Sequence, residues 1–232
     1  RKNPKRIAYS EGEEENVLRA VQMVVDEKVA IPTLIGRRSV VLHRIEKLRL
    51  RLEEGKDFEL CDPQDDPRYK DYHELYHTIM QRKGISPSVA KAIVRTNPTV
   101  IAALMTHRGE VDGMICGTIG DFHVHMKHVN DIIGLKPGVE TAAALRLLIM
   151  PNKGSYFVCD THVNPDPSIP QISEMTLMAA ERVKRFGIEP KVALLSYSNF
   201  GSRQDPSASK MRTACVDIKQ RDPNLEVDGE MH

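Results

Sequence analysis

A β-strand that ends in a polar turn is encoded by Lys191-Val-Ala-Leu-Leu-Ser-Tyr-Ser-Asn-Phe-Gly-Ser202. The apolar run from Val192 to Leu195 has the length of a buried strand, and serines and a glycine follow it. Such a turn offers hydroxyl groups and closely approachable backbone amides, which suit an anion. Lys210 and Arg212 follow near the predicted N-terminus of a helix, where negative charge is also favoured.

The same turn has a purely structural explanation. Many strand-to-helix turns are rich in serine because a serine side chain caps the first turn of the helix. From the residues alone this structural role is favoured, and an anion-binding loop is the alternative.

Strands and helices alternate along the rest of the chain. Apolar residues recur with a helical period between short apolar runs. A capping residue before proline predicts helix starts at Asp66-Pro67, Ser86-Pro87 and Asn97-Pro98. The predicted strands cover residues 6–10, 30–35, 111–116, 142–150, 155–159, 192–195 and 225–227, and further helices are predicted near 17–25, 40–52, 172–186 and 207–220.

The connection pattern changes after Lys136-Pro-Gly138. Before this point strands alternate with helices, which predicts a mostly parallel sheet covered by helices on both faces. After it, Pro151-Asn-Lys-Gly154 joins two strands as a hairpin, which predicts a mixed sheet. The predicted fold class is therefore α/β, with a three-layer αβα architecture in two subdomains, residues 1–138 and 139–232.

Composition and charge exclude several classes of function. The 33 basic and 32 acidic residues leave a net charge of +1, so no overall field attracts nucleic acid or an anionic membrane. No apolar run approaches the roughly 20 residues that span a bilayer. The four cysteines lack a Cys-x-x-Cys spacing, which is typical of reduced thiols and predicts a cytoplasmic location. The basic segment Arg1–Arg6 is interpreted as a linker that enters the first strand.

Asp121-Phe-His-Val-His-Met-Lys-His128 has the composition of a metal site but not its geometry. On a helix His125 and His128 are neighbours, whereas His123 is rotated by about 160° from His125. The three imidazoles cannot face one ion, so no metal site is predicted. The chain also lacks a dinucleotide-binding glycine motif and a P-loop, so no nucleotide cofactor is predicted.

Asp160 and His162 lie on one face of the predicted end of a strand. They can form an acid/base pair or a hydrogen-bonded strand end, and the second interpretation is favoured.

Five segments together resemble the phosphate acetyltransferase family. They are the loop at 191–202, Arg6-Ile-Ala-Tyr-Ser-Glu-Gly-Glu-Glu14, Val111-Asp-Gly-Met-Ile-Cys-Gly-Thr118, Lys136-Pro-Gly138 and Asp160-Thr-His-Val-Asn-Pro-Asp166. A closer resemblance is to the phosphotransacetylase-like C-terminal domain of hybrid NADP-dependent malic enzymes, because three motifs depart from the acetyltransferase pattern. Acetyltransferases carry Cys-Ala at Thr161-His162, threonine at Asn199, and Pro-Leu-Gln at Glu230-Met-His232.

The resemblance implies an isocitrate dehydrogenase-like, phosphate acetyltransferase-like fold. The family continues beyond the last residue of this chain, so the resemblance implies that a C-terminal portion is missing. In the family that portion completes the first subdomain and carries the serine, arginine and aspartate used in acetyl transfer. No catalytic residue is therefore assigned within this chain.

The function implied by the resemblance is regulatory. The domain is expected to bind acetyl-CoA as an effector and to inhibit an upstream catalytic domain that holds NADP, a divalent metal (Mg²⁺ or Mn²⁺) and malate. A homo-oligomer, at least a dimer, is implied, and replacing Ser202 or Arg212 is expected to weaken acetyl-CoA binding without unfolding the domain. The assigned ligand-binding residues are Gly117, Thr118, Gly120, Lys127, Thr161, Ser196, Ser198, Asn199, Gly201, Ser202, Lys210 and Arg212.

Two alternatives remain. The first is a working phosphate acetyltransferase that converts acetyl-CoA and phosphate to acetyl phosphate and CoA. The second is an architectural domain that drives oligomerisation and binds no ligand.

Overall fold

Residues 3–232 are described by the computed structural model, so Arg1 and Lys2 of the predicted linker lie outside it. The chain divides into two units, of which the first ends at Gly134 and the second begins at Leu135. The sequence places this division after Gly138.

The first unit contains a four-stranded parallel sheet. Its strands are β1 (Lys5–Tyr9), β2 (Ala30–Ile35), β3 (Glu59–Cys61) and β4 (Gly113–Ile115). Their order across the sheet is β3-β2-β1-β4, and every neighbouring pair is parallel. The predicted parallel sheet is confirmed, and the strand order reverses between β1 and β4.

Helices connect these strands, largely where the sequence predicts them. They are α1 (Glu15–Glu27), α2 (Arg38–Lys47), α3 (Tyr69–Met80), α4 (Pro87–Thr96), α5 (Pro98–His107) and α6 (Phe122–Ile132). The starts of α4 and α5 at proline are confirmed. The predicted start of α3 at Asp66-Pro67 is wrong, because the helix begins at Tyr69. The Asp66 carboxylate accepts hydrogen bonds from the backbone and guanidinium of Arg68 and holds this segment outside the helix.

Apolar side chains pack on both faces of this sheet. Alternate residues of a strand point to opposite faces. Ala8 and Ile35 belong to the buried cluster formed with α3, α4 and α5, whereas their neighbours Tyr9 and Leu34 belong to the cluster formed with α1 and α2. The sheet therefore lies between two helical layers, as predicted.

The second unit contains two pairs of strands. β5 (Leu145–Met150) and β6 (Gly154–Cys159) form the predicted antiparallel hairpin, and β7 (Lys191–Leu195) pairs in parallel with β8 (Glu226–Met231). The expected mixed sheet is instead two separate two-stranded sheets among the described strands. The helices α7 (Ile169–Lys184) and α8 (Pro206–Arg221) share a buried apolar cluster with β7 and β8.

Within residues 3–232, none of the helices combines the length and the apolar character that a membrane crossing requires.

Candidate functional site

The Ser196–Ser202 loop connects β7 to α8 and is held along the end of β8. The backbone N–H of Ser196 donates to the carbonyl of Met231, and that of Phe200 donates to the carbonyl of Glu230. The N–H of His232 donates to Oδ1 of Asn199. These bonds fix the loop against the last strand rather than leaving it as a free turn.

Glu230 lies at the centre of this loop and is completely buried. Its Oε1 accepts hydrogen bonds from Ser198 Oγ at 2.7 Å, from the Gly201 N–H at 2.9 Å and from Arg212 Nη1 at 2.9 Å. Sequence reasoning missed this residue, which it noted only as a departure from a motif. The loop therefore has an internal carboxylate at the place where the alternative interpretation of the sequence, an anion-binding loop, would put a bound anion.

The surroundings of Glu230 keep it ionised. Burial by itself raises the pKa of the carboxyl, but the bonds from Gly201, Ser198 and Arg212 outweigh burial and lower the pKa to about 2. Oε2 is buried and has no partner among the residues that the structure describes.

Acid is expected to destabilise the second unit through Glu230. Because the pKa in the folded state lies below the ordinary value, this carboxylate contributes stability above about pH 4.5, and the contribution is lost as the pH falls towards 2. Near pH 3, unfolding of the wild type should take up about one proton per chain more than unfolding of Glu230→Gln. Urea unfolding of both proteins across this pH range measures the difference, and parallel pH profiles would contradict it.

Arg212 is partly buried, and both of its terminal nitrogens bind protein acceptors. Nη1 donates to Glu230 and to the carbonyl of Arg203, and Nη2 donates to Gln204 Oε1 and Ser209 Oγ. Its charge is paired with a buried carboxylate, so replacing it would leave that carboxylate without its cation. Replacing Arg212 is therefore expected to lower the stability of the second unit, and the prediction that the domain stays folded and binds acetyl-CoA more weakly stays a prediction.

The remaining loop residues bind one another. Ser202 Oγ accepts from the Asn199 N–H and lies 3.2 Å from Ser198 Oγ. Ser196 Oγ accepts from the Ser198 N–H. The structure thus brings together six of the assigned residues: Ser196, Ser198, Asn199, Gly201, Ser202 and Arg212.

Lys210 and Thr161 have other partners in the second unit. Lys210 pairs with Asp166, and Thr161 Oγ1 lies 2.6 Å from His162 Nδ1. The neighbouring Asp160 accepts hydrogen bonds from the backbone of Ala144 and from the backbone and side chain of Asn164. Asp160 thus forms the hydrogen-bonded strand end that the sequence favours.

In the first unit the assigned residues lie at the end of β4 and in α6. The Gly117 N–H donates to Glu11 Oε1 at 3.0 Å. Lys127 donates to Asp131, which also pairs with Lys83, so one carboxylate is shared by two lysines and the cluster keeps a net positive charge. Thr118 also lies at this end of β4.

His125 is held by two hydrogen bonds behind Gly120. Its Nδ1 lies 2.8 Å from Thr99 Oγ1 and its Nε2 lies 2.7 Å from the carbonyl of Ile119. A cavity of about 250 Å³ adjoins this ring, and the buried Nδ1 of His128, which also lines it, has no partner in the described part of the chain. Across residues 3–232 the structure contains no group of three or more His, Cys, Asp or Glu side chains arranged to hold a metal ion.

A second cavity, of about 260 Å³, opens at the carboxyl ends of the first unit's strands. Ser10 and Gly36, which follow β1 and β2, line it with Arg37 and Arg95. The Ser10 side chain is fully buried, and its Oγ has no partner within residues 3–232. Open α/β sheets bind ligands at this edge, so the cavity is a candidate ligand position that sequence reasoning missed.

Comparison with known proteins assigns this chain to a protein family. Residues 1–232 match the family described as phosphate acetyl/butaryl transferase. The chain belongs to this family. It is 50% identical over 232 residues to an NADP-dependent malic enzyme of Escherichia coli, a match that covers 100% of the chain and 30% of that enzyme. It is also 31% identical over 231 residues to a phosphate acetyltransferase of Nitratidesulfovibrio vulgaris, covering 100% of the chain and 32% of that protein.

The fold agrees with this assignment. A phosphotransacetylase from Streptococcus pyogenes superposes with a TM-score of 0.89 at 26% identity, over 99% of this chain and 68% of that one. The α/β fold predicted from the sequence and the resemblance to phosphate acetyltransferases and malic enzymes are therefore confirmed. The chain spans about 30% of the length of the malic enzymes that it matches.

Proposed function

We propose that this chain is a regulatory domain that binds acetyl-CoA and inhibits a malic enzyme. The inhibited reaction is the oxidative decarboxylation of malate to pyruvate, in an upstream catalytic domain that holds NADP and Mg²⁺ or Mn²⁺. The observation that carries the proposal is a double likeness: the chain has the fold of a phosphotransacetylase and is 50% identical to part of a malic enzyme. An acetyl-CoA site linked to a malic enzyme accounts for both.

The Ser196–Ser202 loop supports a ligand with a large uncharged portion. Tyr197 and Phe200 project from it and are 54% and 64% exposed, so they offer apolar surface on the outer side of the loop. Pantetheine and the acetyl thioester of acetyl-CoA are uncharged and carry amide and carbonyl groups. Such groups can pack on exposed rings and accept or donate single hydrogen bonds.

Regulation requires that acetyl-CoA bind two states of the protein with different affinity. A ligand shifts an equilibrium only through such a difference, which is typically about 1–3 kcal/mol of coupling. The same coupling is reciprocal, so malate or NADP bound upstream is expected to weaken acetyl-CoA binding by the same factor.

We also propose that the protein is a cytoplasmic homo-oligomer, at least a dimer. The β5–β6 hairpin exposes apolar side chains that an isolated chain would leave in water, including Leu148, Ile149 and Tyr156. Leu148 and Tyr156 are directly paired and so share one face of the hairpin, whereas Ile149 points to the other face. Exposed apolar surface of this kind is characteristic of an interaction site.

Calorimetric titration of acetyl-CoA into the full-length protein tests the ligand. The variant Ser202→Ala removes a hydroxyl that accepts from Asn199 and contacts Ser198. Its loss should weaken binding about fivefold, since a hydrogen bond contributes about 1 kcal/mol and 1.4 kcal/mol is a factor of ten.

The matched control is Ser39→Ala, which changes an exposed serine of α2 in the first unit and should leave the affinity unchanged. Equal affinities of the two variants for acetyl-CoA would contradict the placement of the ligand at this loop. If titration of the wild type gives no binding heat, the proposal that acetyl-CoA is the effector is contradicted.

The alternative of an active phosphate acetyltransferase is supported by the 0.89 TM-score to a phosphotransacetylase. Formation of acetyl phosphate from acetyl-CoA and inorganic phosphate tests it directly. An architectural domain would show neither binding nor turnover, and its mass by light scattering would be the same with and without acetyl-CoA.

A further inference from the structure

Three donors of different kinds converge on one oxygen in the Ser196–Ser202 loop. The hydroxyl of Ser198, the N–H of Gly201 and the guanidinium of Arg212 all donate to Glu230 Oε1, at 2.7–2.9 Å. A hydroxyl, a backbone amide and an arginine are also the groups with which proteins bind a phosphate oxygen. The loop is thus built as an oxyanion site and is filled by the protein's own carboxylate.

We propose that Glu230 closes this loop to phosphate and so determines which chemical class of ligand the loop accepts. The carboxylate occupies the position that a phosphate oxygen would take. Inorganic phosphate and phosphate esters are excluded from the loop, while an uncharged group can still contact its outer face, where Tyr197 and Phe200 are exposed.

Two physical effects produce this exclusion. The first is occupancy, because both terminal nitrogens of Arg212 already donate to protein acceptors. The second is repulsion, because a phosphate dianion in contact with Glu230 would meet a like charge in a buried setting, where screening by water is weak. The low pKa of Glu230 means that this charge persists through the physiological range.

The exclusion itself does not depend on acetyl-CoA binding, but its consequence rests on the proposed function. If acetyl-CoA binds here, the loop contacts its acetyl or pantetheine portion and not its phosphates. Acetyl transfer to phosphate requires phosphate beside the thioester, so a loop closed by Glu230 would bind acetyl-CoA without passing its acetyl group to phosphate.

Removing the carboxylate should create a phosphate site. In Glu230→Ala the three donors lose their acceptor, so inorganic phosphate should bind and raise the unfolding temperature of the variant. The wild type should show no such rise. Adding Arg212→Met to Glu230→Ala should weaken phosphate binding at least about tenfold, since a charged hydrogen bond contributes about 1.5–3 kcal/mol.

The matched control is Glu226→Gln, which removes an exposed carboxylate from the same strand and should behave as the wild type. Glu230→Gln separates the two effects, because the amide keeps the occupancy and removes the charge. We expect it to bind phosphate more weakly than Glu230→Ala. A folded Glu230→Ala protein that binds no phosphate would overturn the proposal.

A measurement on the wild type keeps the test decisive if the variants do not fold. Hydrogen–deuterium exchange of the peptide that spans the loop should be unchanged by inorganic phosphate, and protection of that peptide would overturn the proposal. Titration of acetyl-CoA into the same proteins in phosphate-free buffer tests the proposed function separately. If the wild type excludes phosphate but does not bind acetyl-CoA, the proposed function is contradicted and the role of Glu230 in excluding phosphate is not.

Discussion

Gly229→Ala is expected to destabilise the second unit by about 2–5 kcal/mol, as the sum of backbone strain and overpacking. Gly229 lies in β8 with φ 136°, a backbone conformation that residues with a side chain rarely adopt. A Cβ atom at this position would lie 2.7 Å from the carbonyl oxygen of Leu194 and 3.0 Å from its Cβ. Because Leu194 belongs to the paired strand β7, the clash can be relieved only by separating the two strands.

Gly187→Ala is the matched control. Gly187 also has a positive φ, of 73°, but no heavy atom lies within 4 Å of a Cβ built there. It should lose only the strain of a left-handed residue, about 1–2 kcal/mol. Urea unfolding measures both variants. Equal losses in the free energy of unfolding would show that the close approach of Leu194 to residue 229 adds nothing to the cost of Gly229→Ala.

Gly229→Ala should also loosen the Ser196–Ser202 loop. Phe200 donates its N–H to the carbonyl of Glu230, the residue after Gly229, so movement of β8 carries the loop's anchor with it. Hydrogen exchange of the loop should therefore accelerate in Gly229→Ala and remain unchanged in Gly187→Ala.

Leu104→Ala is expected to destabilise the first unit by about 2–5 kcal/mol. Leu104 is completely buried in α5, and the neighbouring Ala103 and Met105 are buried as well. A helix buried on all sides cannot relax towards solvent to fill the space that the lost methyl groups leave.

Met23→Ala provides the comparison for this substitution. Met23 lies on α1 and is 68% exposed, so its truncation should change the free energy of unfolding by no more than about 0.5 kcal/mol. Because the chain forms two units, unfolding should be followed by hydrogen exchange of peptides from each of them rather than by one overall midpoint. A loss for Leu104→Ala as small as that for Met23→Ala would contradict the all-round burial of α5.

Local sequence patterns were sufficient for most of the fold. The proline after a capping residue sets the starts of α4 and α5, since the proline ring suits the first helical position and terminates the preceding segment. The Pro151–Gly154 turn predicts the antiparallel hairpin. The predicted start of α3 failed because the side chain of Asp66 binds Arg68, a local choice that composition does not reveal.

The amino-acid sequence alone specifies the alternation of strands and helices, the parallel sheet of the first unit and the position of the Ser196–Ser202 loop, because these follow from periodicity and turn chemistry between near neighbours. The role of Glu230 follows only from the tertiary fold. In regular alternation from the buried Val227, residue 230 would face solvent. The pairing of β7 with β8 is irregular at Leu194 and Leu195, which face Gly229 and Met231, so Glu230 is passed over in the register and points inward. Its partners Ser198, Gly201 and Arg212 come from other parts of the chain, and only the folded arrangement turns an apparent anion-binding loop into one that contains its own anion.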